Sequence, residues 1–136
     1  MTIGNAAFEE ALRPITGLLA NAALWSDGGT SYHHRFVYLA DDFKVAVATS
    51  GLMPIGVLMN KPTSGAAAVV AGVGSVVKLK TAAAVLIGAK LMPDTGNTGK
   101  AITATSGNYV GAIALTAGDS GDEIVAYITG GVDKIA

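Results

Sequence analysis

The sequence predicts an all-β fold: a small β-sandwich or barrel of short antiparallel strands behind an N-terminal arm with room for a short helix. Three observations lead there. From Arg35 onward, apolar and polar residues alternate with a period of two. The alternating runs are short and are separated by glycine-rich turns at intervals of about ten residues, the spacing of an all-β domain. Helical spacing occurs only before that point, where Phe8, Leu12, Ile15 and Leu19 recur every three or four residues behind Glu9 and Glu10. Pro14 interrupts that run, Gly17 and Asn21 weaken it, and Ser26 to Ser31 has the composition of a loop. The chain therefore divides into an arm, residues 1–34, and a β-rich domain, residues 35–136.

The strands follow in order. Phe36-Val37-Tyr38-Leu39 and Lys44 to Thr49 flank an Asp41-Asp42 turn and read as a hairpin. Ile55 to Met59 is a third strand, closed by the turn chemistry of Asn60-Lys61-Pro62-Thr63-Ser64-Gly65. Ala67 to Val73 and Val76 to Lys80 are strands on either side of Gly74-Ser75. In the second of them, Val77 and Leu79 share one face while Val76, Lys78 and Lys80 share the other. Thr81 to Gly88 is rich in alanine but too short for an independent helix, and reads as a helical turn or a loop. Lys90-Leu91-Met92 and Lys100 to Thr105 flank the turn from Asp94 to Gly99. Tyr109 to Thr116 and Glu123 to Thr129 flank Gly118-Asp119-Ser120-Gly121-Asp122.

Composition narrows the functional classes. In 136 residues, 9 basic and 10 acidic side chains nearly cancel, which is unlike a protein that neutralises many phosphates, so no nucleic-acid partner is expected. The absence of cysteine excludes disulfides, thiolate metal sites and a cysteine nucleophile. The longest uncharged stretch, Ala101 to Gly118, is too polar to span a membrane, and no leader pattern opens the chain, so the expectation is a soluble protein made in the cytoplasm. There are 24 alanines and 18 glycines against 8 aromatic residues, so the 51 % apolar content is one of small side chains. Small side chains bury little area per residue but let backbones approach closely. Part of the stabilising burial is thus expected from neighbouring subunits.

No catalytic constellation, metal site or cofactor site is expected. Gly118-Asp119-Ser120-Gly121-Asp122 has the letters of a serine-protease nucleophile loop, with His33, His34 and Asp41 as conceivable partners, yet two polar residues between turn glycines account for it. His33 and His34, if on a strand, point to opposite faces and cannot share a metal ion. Gly99-Lys100 ends like a phosphate-binding loop, but Ala101 stands where a hydroxyl should hold Mg²⁺, and Asp94 occupies the first glycine position. Gly72-Val73-Gly74 lacks the third glycine of a dinucleotide fingerprint. Asp119, Asp122 and Glu123 make a hydrated acidic turn without the spacing of a Ca²⁺ loop. Lys78 and Lys80 form a small basic stripe, suited to an acidic partner surface or to guarding a sheet edge.

The order of motifs from Arg35 to the C-terminus resembles the capsid cement, or head decoration, proteins of tailed bacteriophages, a DUF2190-like family. The resemblance is carried by Arg35-Phe36-Val37-Tyr38-Leu39, Pro54 to Pro62, Ala66 to Val73, Val76 to Lys80, Gly88-Ala89-Lys90-Leu91, Gly99-Lys100-Ala101 and Tyr109 to Leu115. It implies a non-enzymatic virion protein on the outside of the capsid, assembled in the bacterial cytoplasm, that bridges capsomers against DNA pressure. The implied partners are the major capsid protein and further copies of the chain, as a trimer. The arm lies outside the matching region. Its Ile3, Phe8, Leu12, Ile15, Leu18 and Leu19, with Lys78 and Lys80 of the domain, are the candidate capsid or subunit contacts. Alternatives are another virion subunit (head fibre or tail tube) or a non-viral small β-barrel carrier module, for which Lys61 and Lys90 are the lysines to consider.

Overall fold

The computed structural model describes residues 14–15, 17–21, 32–96 and 98–135. Among them it has eleven strands and no helix: β1 (Pro14–Ile15), β2 (Leu19–Ala20), β3 (Phe36–Asp41), β4 (Lys44–Val47), β5 (Pro54–Leu58), β6 (Val70–Ala71), β7 (Val76–Lys80), β8 (Lys90–Pro93), β9 (Ala101–Thr103), β10 (Tyr109–Ala114) and β11 (Glu123–Lys134). They form a six-stranded sheet, β1-β6-β5-β3-β4-β2, and a five-stranded sheet, β7-β11-β10-β8-β9. The all-β expectation holds. Every pairing is antiparallel except β2 with β4. Thr81, fully buried just after β7, bridges Ala101 in β9, so the two outer strands of the second sheet meet and curl it towards a barrel.

Two cores follow from the alternation of side chains. Phe36, Val57 and Ala71 of the first sheet pack with Val77, Leu79, Leu91, Ala112, Ala114, Ile124, Ala126 and Ile128 of the second. Their chain neighbours Val37, Leu58 and Val70 face the other way and pack with Val45, Leu18, Ala20 and Ala68. The first sheet is thereby buried on both faces. The alanines let the sheets approach closely, and Gly111 marks one of the tight points. A Cβ there would lie 2.6 Å from the Phe36 ring and 2.9 Å from Pro54 Cγ.

Three expectations are corrected. Of the helical run in the arm, Phe8 and Leu12 lie outside the described residues, but Ile15 pairs with Val70 in β1 and Leu19 pairs with Lys44 in β2. Pro14 cannot donate to a helix, Gly17 turns the chain at φ +83°, and the open edges of β6 and β4 supply backbone partners instead. The strand expected over Ala67 to Val73 is only Val70–Ala71. The Asn60 side chain stands in for a neighbouring strand, donating to Ala67 O at 3.0 Å and accepting from Val69 N–H at 2.9 Å. His33 and His34 are not on a strand: they occupy a turn with His34 at φ +60°, and their rings lie tilted to each other with centroids 4.4 Å apart. The stretch from Thr81 to Gly88 is a loop, pinned by bridges at Thr81 and Val85.

Candidate interaction surface

The outer face of the second sheet is laid out by its register. β7 and β11 set Lys80 opposite Glu123, Lys78 opposite Val125 and Val76 opposite Tyr127. Tyr127 in turn faces Ile113 on β10, and Ile113 faces Lys90 on β8. Directly paired residues share a face, so these side chains lie on the side away from the core. The centre of that face is apolar: Val76, Val125, Tyr127 and Ile113, continued by Leu115, whose N–H donates to Val125 O at 2.8 Å. Lys78 and Lys80 border it along β7, and Lys90 borders it along β8. Glu123 is drawn aside: its Oε2 lies 2.6 Å from His34 Nδ1.

Two turn tips carry large exposed apolar residues. In the β3–β4 hairpin, Asp41 pairs with Lys44, and Phe43 adopts φ +54° with 67 % of its surface exposed. Leu39 and Asp41 and Asp42 beside it are exposed as well. The left-handed conformation is one that glycine or asparagine accepts and phenylalanine resists, so sequence preference alone does not put Phe43 there. The second tip holds Leu86 and Ile87, 76 % and 73 % exposed. Ala89 N–H donates back to Leu86 O, Gly88 takes φ +80° as a type II turn requires, and its N–H donates to Ala114 O at 2.7 Å. That bond sets the tip next to Leu115.

The residues proposed from sequence as contacts fall into separate places. Ile3, Phe8 and Leu12 lie outside the described residues. Ile15, Leu18 and Leu19 are brought together with Pro14, Ala67 and Val69 around an open apolar groove of about 290 Å³, although Leu18 itself is a core residue. Lys78 and Lys80 lie on the other sheet, on the outer face of β7, as their alternation indicated. Lys90 and Tyr127 complete that face, Lys90 through the pairing of β8 with β10 and Tyr127 through the pairing of β11 with β7 and β10. Phe43 was missed; its one signal was an aromatic residue directly after two aspartates in a turn.

The segments with catalytic letters are built as turns. Ser120 Oγ donates to Ala82 O at 2.9 Å, Asp122 Oδ2 accepts from Asp119 N–H at 2.9 Å, and Thr81 Oγ1 donates to Asp119 O at 2.6 Å. His34 is bonded to Glu123 rather than to Ser120. Asp94 accepts from both the N–H and the hydroxyl of Thr98, closing the turn that ends in Gly99-Lys100. That turn is packed, not open to phosphate: Phe36 N–H donates to Gly99 O and Arg35 Nη1 donates to Thr98 O at 3.1 Å. Arg35 is buried under the Tyr32 ring, its Nε without a hydrogen bond, and burial pulls its guanidinium below the usual value although Tyr32 and Asp94 favour the charge. Burial also lowers His33, with the positive potential of His34 and Lys61 adding to it. Among the described residues, no three His, Asp or Glu side chains converge as a metal site would require.

No protein-family model matches the chain, and no curated protein matches it in sequence. Among solved structures it is similar to the crystal structure of the head fiber gp8.5 N base in bacteriophage phi29, with a TM-score of 0.61 and 15 % sequence identity. The match covers 85 % of this chain and 94 % of that one. At so low an identity, what the two chains share is the fold.

Proposed function

We propose that this chain is a structural protein of a bacteriophage virion, seated on the outer surface of the head and acting by binding rather than by turnover. The observation that carries the reading is the fold shared with a head-fibre base across nearly the whole of both chains. Two features of the molecule support it. Ser120, His34, Asp122 and Asp94, which carry the catalytic letters of the sequence, are engaged in hydrogen bonds within the fold. Large exposed apolar residues stand at two turn tips, Phe43 and the Leu86-Ile87 pair, and on the outer face of the second sheet, Leu115 and Tyr127, as a docking protein requires.

The partners in this reading are the major capsid protein and other copies of the chain. Within it, the fold likeness favours the base of a head fibre, and the ordered motifs of the sequence favour a cement subunit. The two differ in mechanics. A cement subunit touches two capsomers, so it must lose one set of contacts before the shell opens; binding the closed shell stabilises it by RT ln(1 + [L]/Kd), about 4 kcal/mol at a thousandfold excess over Kd. A fibre base touches the shell only to hold something else away from it.

Heads lacking the chain, mixed with purified protein and sedimented, test the reading. The chain is expected to co-sediment to a fixed stoichiometry and to be found in intact virions; failure to bind heads would overturn it. Heating loaded and bare heads then separates the two forms. Cement raises the temperature of DNA release, and a fibre base leaves it unchanged.

A further inference from the structure

We infer that the outer face of the second sheet receives the β3–β4 hairpin of a second copy of this chain, so that subunits associate head to tail. The two surfaces are complementary in kind. The face has an apolar centre of Val125, Tyr127, Ile113 and Leu115 with ammonium groups on both borders: Lys78 opposite Val125, and Lys90 opposite Ile113. Glu123 sits opposite Lys80 and is held by His34 at 2.6 Å, which leaves Lys78 and Lys90 beside the apolar centre. The hairpin has the reverse pattern: an exposed Phe43 and Leu39 with the carboxylates of Asp41 and Asp42 beside them. Asp41 accepts from Asp42 N–H at 2.8 Å, which leaves the other carboxylate oxygen of Asp41 and the whole of Asp42 for cations.

The occupant follows from charge complementarity within one chain. Three of the seven lysines, Lys78, Lys80 and Lys90, border the face, while Asp41 and Asp42 adjoin on the hairpin, where Lys44 pairs across from Asp41 and leaves the tip one charge negative. Placed this way, each surface repels its own kind and attracts the other, which specifies orientation as well as partner. Phe43 and Leu39 supply the apolar area that a surface ion pair alone lacks. Because plug and face are different surfaces, the contact is heterologous: it closes into a ring where the rotation allows, and propagates otherwise. This inference concerns the purified chain in solution and does not depend on its having a place on a phage head.

Sedimentation velocity of the full chain over a range of concentrations tests it. The parent chain is expected to self-associate, less so as salt screens the lysines and aspartates. The double variants Asp41→Lys/Asp42→Lys and Lys78→Glu/Lys90→Glu alter exposed side chains; each is expected to weaken association at least tenfold while still unfolding in one cooperative transition, the first at a slightly lower temperature because it loses the Asp41 bond to Asp42 N–H. An equimolar mixture of the two is expected to associate again, since each then meets its complement. A parent chain that is monomeric throughout, or charge reversals that leave association unchanged, would overturn the inference. So would a mixture that fails to recover. If the reversals spare self-association but abolish binding to heads, the face belongs to the shell instead, and the inference is equally refuted.

Discussion

The two sheets are built from the same kinds of residue and buried differently. In the first, consecutive residues such as Phe36 and Val37, or Val57 and Leu58, are both fully buried, because each face of the sheet meets a core. In the second, burial alternates along two strands: along β7, Val77 and Leu79 are in while Lys78 is out, and along β11, Ile124, Ala126 and Ile128 are in while Tyr127 is out; β8 and the start of β10 depart from it, with Leu91 to Pro93 and Val110 to Ala112 buried in succession. The difference shows where the molecule can meet others. A sheet buried on both faces has only its edges and hairpins left to offer, and here it offers the Phe43 tip. A sheet buried on one face has the other free, and here that face carries lysines around an apolar centre.

The sharpest way to break this comparison is a set of truncations. Phe36→Ala and Leu58→Ala act on opposite faces of the first sheet and are each expected to lower unfolding free energy by about 3 kcal/mol. In the second sheet Ile124→Ala should cost about as much, whereas Lys78→Ser should change stability by less than about 0.5 kcal/mol. Urea unfolding of the four variants reads this directly. A cheap Leu58→Ala would mean that the second core of the first sheet does not hold. Next in size is Gly111→Val, which drives a side chain into Phe36 and Pro54 where the sheets touch; a loss of about 2 kcal/mol is expected.

The same contrast explains what could be read from the sequence. Val76 to Lys80 matched its predicted strand to the residue, and its in–out assignment was right, because one-sided burial writes itself as alternation. Where burial is two-sided or partners are not backbone, the pattern fails. Val70–Ala71 was over-extended because nothing in its letters shows that the Asn60 side chain takes a strand's place. Ile15 and Leu19 kept a helical spacing that the edges of β6 and β4 overrode. The candidate surface was legible in part: Lys78 and Lys80 were found from alternation, but Lys90 joins them only through the pairing of β8 with β10, a long-range register that no local pattern contains.

Smaller effects sharpen the comparison further. Phe43→Asn places a residue that tolerates the left-handed region at φ +54° and is expected to raise thermal stability by about 0.5 kcal/mol while weakening self-association. A gain in stability with association intact would separate the tip from any docking role. At His33 the folded chain binds a proton less well than the unfolded chain, because burial and the neighbouring His34 and Lys61 oppose the charge. Its contribution to stability is therefore complete above about pH 6.5 and declines as pH falls through that value. His33→Asn should flatten the fall in melting temperature between about pH 6.5 and pH 5; an unchanged slope would place the dependence on other groups.

The central claim is that this fold serves as a subunit on the surface of a phage head, and electron cryo-microscopy tests it most directly. Heads reconstructed with and without the chain should differ by discrete densities on the outer surface of the shell, each fitted by the two-sheet domain. Identical reconstructions, or extra density confined to the tail or the interior, would contradict it.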